Sequence, residues 1–326
     1  MDRYGMHLAE PSGKRHSKHR RPSTKPPADG HSSERRVWEN ASLCARIRGM
    51  SASSIPNVVS IAGIDPSGGA GIYADLKAFS ALGAYGCGVV AALTAQNTQA
   101  VTGVHTPPTD FLRLQIDTLF ADVRIDAVKL GMLGTAEIVS TVADRLSHFA
   151  APYVVLDPVM VAKSGDHLLA KNAVAMLREA LLPLSFMLTP NLPEAGVLTE
   201  TRAPETVREM YRCAERLRDL LPTVSERWVL LKGGHLPGDE LVDLLFDGDQ
   251  MIEMRAPRID TKNTHGTGCT LSSAIAALLP RCAGEFKPVE ASVRRARDYL
   301  LRAIAESGRL DVGKGHGPVH HFHAWY

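Results

Sequence analysis

Short runs of β-branched and aliphatic residues alternate with longer amphipathic stretches from Val58 onward, and this alternation narrows the fold more than any other feature of the chain. The runs predict strands over residues 58–64, 89–95, 127–131, 153–159, 186–189 and 228–233. Between them, apolar residues at spacings of three and four predict helices over 71–82, 109–123, 136–149, 170–182 and 205–221, with Thr109 and Thr135 as caps. Residues 242–247 and 251–255 read as a hairpin turning at Gly248 and Asp249, followed by closing helices over 270–279 and 289–307. Strands that are almost continuously apolar must be covered on both faces, so the predicted fold is α/β, with a mostly parallel central sheet between two layers of helices. Ligands of such sheets sit at the carboxyl ends of the strands, which directs attention to the loops there.

The chain has 326 residues, 44% of them hydrophobic, and no internal repeat or linker after residue 57. That is enough for one large core. No apolar run reaches the ~18 residues of a spanning helix, so no membrane partner is expected. Residues 1–10 hold two acids and no apolar stretch, unlike a secretory signal. Cys44, Cys87, Cys213, Cys269 and Cys282 are odd in number and lack CxxC spacing, which argues against a disulfide framework and a zinc site and points to the cytoplasm. Residues 1–50 carry 11 Lys and Arg against 5 Asp and Glu, although the whole chain is nearly balanced at 37 against 35. This basic segment has too few apolar side chains to offset its ordering entropy, so 1–57 is expected to be a disordered extension and 58–326 a single domain. Without interleaved aromatics or helical periodicity the extension is a solvated tail, and no nucleic-acid partner is expected. Met50 as the first residue is a further expectation.

Several loops following predicted strands carry chemistry. Gly63-Ile64-Asp65-Pro66-Ser67-Gly68-Gly69-Ala70-Gly71 ends a strand and opens a helix, where glycines let backbone N–H groups approach a polar ligand. It lacks GxGxxG spacing and is equally a tight turn. Asn263-Thr264-His265-Gly266-Thr267-Gly268-Cys269 precedes an Ala-rich helix. Successive N–H groups of Gly266, Thr267, Gly268 and Cys269 would form a nest for the charge of a transferring phosphoryl group. The helix start is also expected to lower the thiol pKa of Cys269, so that it accepts the proton of an attacking hydroxyl; the alternative is a small residue packing the helix. No GxxxxGK followed by Ser or Thr occurs, which excludes a P-loop kinase.

Asp157 and Lys163 share one loop, and Asn191 and Glu194 stand three apart in another. Such oxygen donors suit Mg2+ on a nucleotide phosphate, while each alone also serves as a cap or turn device. Lys232 ends a strand as a candidate phosphate-facing cation, and Gln96 ends another with an amide that donates and accepts, as an aminopyrimidine edge requires. The C-terminal tract with His316, His320, His321 and His323 reads as packing or loop rather than a metal site.

Taken in order from about Val58 to Tyr326, AGIDPSGGAGIYADLKAFSALGAYG, LTAQNT, KLGML, LDPVMVAKSGD, TPNLPEA, LKGGH, TKNTHGTGCTLS and GPVHHFHAW closely resemble the hydroxymethylpyrimidine/phosphomethylpyrimidine kinases, the thiamine-pathway branch of the ribokinase-like family. The resemblance implies a ribokinase-like fold and MgATP-dependent phosphorylation of 4-amino-5-hydroxymethyl-2-methylpyrimidine, then of its monophosphate. It implies that Gln96 reads the pyrimidine while Gly63 and Val159 line its pocket. Cys269 is the implied base, with Gly266, Thr267 and Gly268 as the anion hole. Lys232, Lys163 and Asn191 would face ATP phosphates, and Asn191, Glu194 and Asp157 would organise Mg2+. A homodimer is also implied. The alternative is a pyridoxal or dual-specificity kinase, from which Gln96 discriminates. A non-catalytic pyrimidine sensor would have lost the base, nest or NxxE element, yet all are present.

Overall fold

The computed structural model of the chain describes residues 54–160, 171–223 and 225–326. Lys163 and residues 1–53 lie outside the described residues, and the expectations placed on them with them. In chain order the elements are β1 (Asn57–Ile64), α1 (Gly71–Ala81), β2 (Tyr85–Gln96), β3 (Val101–His105), α2 (Thr109–Asp122), β4 (Ala127–Leu130), α3 (Ala136–His148), β5 (Val154–Leu156) and α4 (Lys171–Met176). There follow β6 (Met187–Leu188), α5 (Leu192–Thr199), α6 (Val207–Asp219), β7 (Trp228–Leu231), β8 (Glu240–Phe246), β9 (Met251–Pro257), α7 (Thr267–Cys282) and α8 (Pro288–Ala305).

The strands form one sheet in the order β3-β2-β1-β4-β5-β6-β7-β8-β9. Pairing is parallel from β2 through β7, while β3, β8 and β9 join antiparallel at the two ends. Alternation along β1 sends Val58 to one core and Val59 and Ile61 to the other. One core packs α2, α3, α5 and α6 on the sheet; the other packs α1, α7 and α8. Burying an Ile such as Ile61 contributes roughly 1.5–3 kcal/mol, and because both faces of the strand do so the parallel region needs no polar side.

Two predicted details differ. Thr135 caps α3, its Oγ1 accepting from the Ile138 N–H at 3.4 Å, but Thr109 is already helical and Pro108 stands at the cap of α2 without a side-chain bond. The predicted helix over 170–182 is α-helical only through Met176 and continues as a π-helical segment, Leu177–Leu181. The edge strand β3 and the short helix α5 were not predicted. Most of β3 is exposed, so it shows no apolar run, and the eight residues of α5, with Pro193 in the first turn, are too few to establish a period.

The strand order reverses at β1. The chain steps outward from β1 to β2 and β3, then returns to place β4 on the other side of β1. At that switch point the loops leaving β1 and β4 diverge and open a cleft above the carboxyl ends.

Candidate active site

A cleft of about 490 Å3 lies there, lined by Gly63, Gln96, Lys129, Met132, Asp157, Val159, Asn191, Glu194, Lys232 and the Thr264–Cys269 segment among others. It gathers every described residue to which the sequence assigned a role.

At its centre is the start of α7. Gly266 takes a left-handed conformation, φ 74°, as the cap, and a Cβ there would stand 1.8 Å from the Gly69 carbonyl oxygen. Glycine is therefore required twice, by backbone angle and by contact between the two glycine-bearing loops. No side chain caps α7, and the first intrahelical bond runs from the Thr270 N–H to the Gly266 carbonyl. The N–H groups of Thr267, Gly268 and Cys269 thus precede the helical ladder, as a nest for an anion requires.

Cys269 occupies the first turn of α7, and the Gly71 N–H favours its thiolate. Its acidity corrects the expectation from sequence. Burial pushes the thiol up to about 11, against the attraction of Lys129 and the Gly71 N–H, with Asp75 and Asp157 adding to the rise. Desolvation of the thiolate outweighs the partial charge of a helix end.

Asp157, at the end of β5, is buried and accepts from Lys232 Nζ at 2.8 Å and from Thr189 Oγ1 and Ser272 Oγ at 3.3 Å. Burial disfavours the Lys232 ammonium, but Asp157 and Glu194 hold it above the ordinary lysine range. A Cβ on Gly268 would lie 3.3 Å from Lys232 Nζ, which brings the lysine against the nest. Asn191 and Glu194 form a capping box on α5: Asn191 Oδ1 accepts from the Glu194 N–H at 2.9 Å and Glu194 Oε2 from the Asn191 N–H at 2.8 Å. The cap reading left open by the sequence is thus realised, and it leaves Glu194 Oε1 outside the reciprocal pair. Burial pushes the Glu194 carboxyl up to about 7; Lys232 opposes this and Asp157 reinforces it.

Across the cleft, Gln96 ends β2 with its Oε1 3.1 Å from Thr94 Oγ1. Gly63 sits where the β1–β2 register shifts, and a Cβ there would lie 3.2 Å from Met132 Sδ. Val159 is half-buried at the rim. The C-terminal tract packs rather than protrudes. The Gly317 carbonyl accepts from the His265 N–H at 3.0 Å, His321 Nε2 and Thr270 Oγ1 are 3.0 Å apart, and burial drives the His321 ring down to about 3, keeping it neutral.

Motif reading missed three contributors. Asp65 is buried, with Oδ2 2.7 Å from His265 Nε2; it also accepts from the Ser67 and Ala70 N–H groups, so it ties the β1 loop to the nest. Burial opposes its ionisation, yet the bonds from His265 and Ser67 hold Asp65 below the ordinary carboxylate range. Lys129 and Asp75 form a buried pair beside the thiol. A lysine inside the otherwise apolar run of β4 was the available signal.

A sequence profile described as phosphomethylpyrimidine kinase matches residues 65–320. The chain belongs to this family. A hydroxymethylpyrimidine/phosphomethylpyrimidine kinase of Escherichia coli is 52% identical over 270 residues, covering 83% of this chain and 98% of the relative; one from Rhizobium meliloti is 49% identical, covering 82% and 97%. Among solved structures, a phosphomethylpyrimidine kinase of Clostridium difficile superposes with a TM-score of 0.66 at 38% identity, over 77% of this chain and all of that one. A Bacillus subtilis pyridoxal kinase in complex with ADP gives 0.73 at 33% identity, over 82% and 98%. The ribokinase-like α/β fold expected from the motifs is therefore the fold of this family member.

Proposed function

We propose that this kinase transfers the γ-phosphoryl group of ATP to the hydroxymethyl oxygen of 4-amino-5-hydroxymethyl-2-methylpyrimidine, and then phosphorylates the monophosphate to the diphosphate for thiamine biosynthesis. The observation that carries the reading is the convergence of the α7 nest, Cys269, Lys232 and Gln96 on one cleft, in a chain 52% identical over 270 residues to a kinase of that name.

The cleft fits its substrates by chemistry. Gln96 offers a donor and an acceptor to the aminopyrimidine edge, and Gly63, Met132 and Val159 give the ring an apolar bed. An adjoining cavity of about 320 Å3, lined in part by Leu241, Leu271, Leu300, Leu301 and Ile304, opens on Lys232, Thr267 and Gly268 and suits a nucleobase with its phosphates turned to the nest. Asp157 and Glu194 are hard oxygen donors, and no group of three or more His, Cys, Asp or Glu among the described residues forms a dedicated metal cage. Mg2+ commonly rests on one or two carboxylates plus substrate phosphates. Bound with the nucleotide it would be held by Asp157 and Glu194, with Asn191 keeping Glu194 in place, and would neutralise phosphate charge.

Phosphoryl transfer asks the protein for positioning and charge stabilisation. The hydroxymethyl oxygen attacks the γ-phosphorus, ADP leaves, and the hydroxyl proton passes to the Cys269 thiolate, the minor form at neutral pH. The N–H groups of Thr267, Gly268 and Cys269, together with Lys232, stabilise the charge on the transferring oxygens. Lys163, outside the described residues, is assigned to the ATP phosphates by the resemblance alone. The same reading carries a single kinase domain over 58–326, a homodimer and a cytoplasmic location, which limited proteolysis, sedimentation and fractionation would check.

Pyridoxal kinases share the fold at lower identity, which makes pyridoxal the competing acceptor. Phosphorus NMR of products formed from MgATP with hydroxymethylpyrimidine, its monophosphate and pyridoxal, each alone, distinguishes them. Diphosphate from the monophosphate and little product from pyridoxal is the expected result; turnover of pyridoxal alone would overturn the assignment.

A further inference from the structure

Lys129 has no exposed side-chain surface, and its Nζ lies 2.9 and 2.8 Å from the two carboxylate oxygens of Asp75. Asp75, equally enclosed on α1, also accepts from Ser60 Oγ and Ser273 Oγ, each at 2.6 Å. A buried ion pair of this kind is seldom a net gain in stability over apolar packing, because both charges lose their water. Its surroundings supply another reason for it.

Ser273 stands one helical turn after Cys269 on α7, so the thiol and the hydroxyl that holds Asp75 share a helix face. Ser272, on the adjoining row, reaches Asp157 at 3.3 Å. The start of α7 therefore covers two acid–lysine pairs, Asp157–Lys232 and Asp75–Lys129, each held by one of its serines. Lys129 and Cys269 line the same cleft. A Cβ on Gly131 would lie 2.8 Å from Lys129 Nζ, so glycine leaves the ammonium its place.

We propose that Lys129 is a positioning residue for phosphoryl transfer: pinned by Asp75, it presents a fixed positive charge to the Cys269 sulfur and stabilises the thiolate that takes the hydroxyl proton. This rests on the reading of Cys269 as the base. The charged groups acting on the sulfur are Lys129 from β4, Asp75 from α1, Asp157 from the end of β5 and Lys232 from the end of β7. The two lysines favour the thiolate and the two carboxylates oppose it.

Alkylation of Cys269 by iodoacetamide across pH 7–10, read peptide by peptide in the full chain, reports the thiolate without requiring turnover; below the midpoint the rate is proportional to the thiolate fraction, so the displacement of the rate profile along the pH axis gives the displacement of the midpoint. Lys129→Met is expected to slow alkylation at pH 8 about tenfold, an upward displacement of the midpoint by about one pH unit. Asp75→Asn removes a negative charge from the same sulfur and is expected to displace the midpoint downward. A merely structural pair would respond to either break in the same direction. That result, or an unmoved midpoint in Lys129→Met, overturns the proposal. Should Lys129→Met fail to fold, Lys129→Gln combined with Asp75→Asn keeps a hydrogen bond between the two positions. Its midpoint is expected above that of Asp75→Asn alone, because the two variants differ by the Lys129 charge. Measuring kcat alongside separates the two readings: indifference of kcat to Cys269→Ala removes the base and with it this role, whereas an unmoved midpoint with Cys269-dependent kcat overturns Lys129 alone.

Discussion

At the scale of single residues, the least expected property is the weak acidity of Cys269. A thiol held near 11 is protonated at neutral pH, so a step needing the thiolate should accelerate as pH rises. We predict that kcat climbs between pH 7 and 9 and that Cys269→Ala abolishes this slope while lowering kcat by about 10²–10⁴, the size of a general-base contribution. A loss below threefold would make the thiol a packing residue. The proposed role of Gln96 is recognition instead. Gln96→Leu should lower kcat/KM for hydroxymethylpyrimidine by roughly ten- to hundredfold, the cost of an unmade buried hydrogen bond of about 1–3 kcal/mol. Unchanged efficiency would move the ring elsewhere in the cleft. Cys269 and Gln96 were legible because their motifs mark them. The acidity of Cys269 was not, since it depends on burial and on Lys129, Asp75 and Asp157, which are remote in sequence.

At the scale of elements, the site is made by the starts of helices placed at strand ends. Apolar periodicity located seven of the helices to within a few residues, because a buried face imposes its period on the chain. It placed the start of the helix after the nest at Thr270 rather than Thr267, since Thr267, Gly268 and Cys269 carry no apolar period. Those residues form the first turn that faces the cleft, and Gly266 sets its direction. Gly266→Ala forces a side chain into a left-handed backbone and toward the Gly69 carbonyl, so the nest should open. We expect kcat to fall by about 10²–10³, as on loss of an oxyanion-hole donor. Gly284→Ala, where a Cβ meets nothing within 4 Å, should leave kcat within about twofold of wild type. Equal effects of the two substitutions would show that the Gly266 conformation is dispensable.

At the scale of the whole molecule, stability and site chemistry meet in Glu194. Its folded pKa lies above its ordinary value of 4.5, so its contribution to stability is complete below that pH and is lost as pH rises through about 7. In urea unfolding at pH 5 and pH 8, the advantage of wild type over Glu194→Gln should therefore shrink at the higher pH. A pH-independent difference would show an ordinary carboxylate. The sequence alone determined the α/β alternation, the parallel core and the order of the site loops, because strand and helix periods and glycine placement act over short distances. It also carried the family in its ordered motifs. Only the tertiary structure decided that Asp65 meets His265 across 200 residues, that Asp75 meets Lys129, and that the Cys269 thiol is hard to ionise. Such pairings are set by the strand order reversing at β1, which brings distant loops to one cleft, and by the low polarity that burial there imposes.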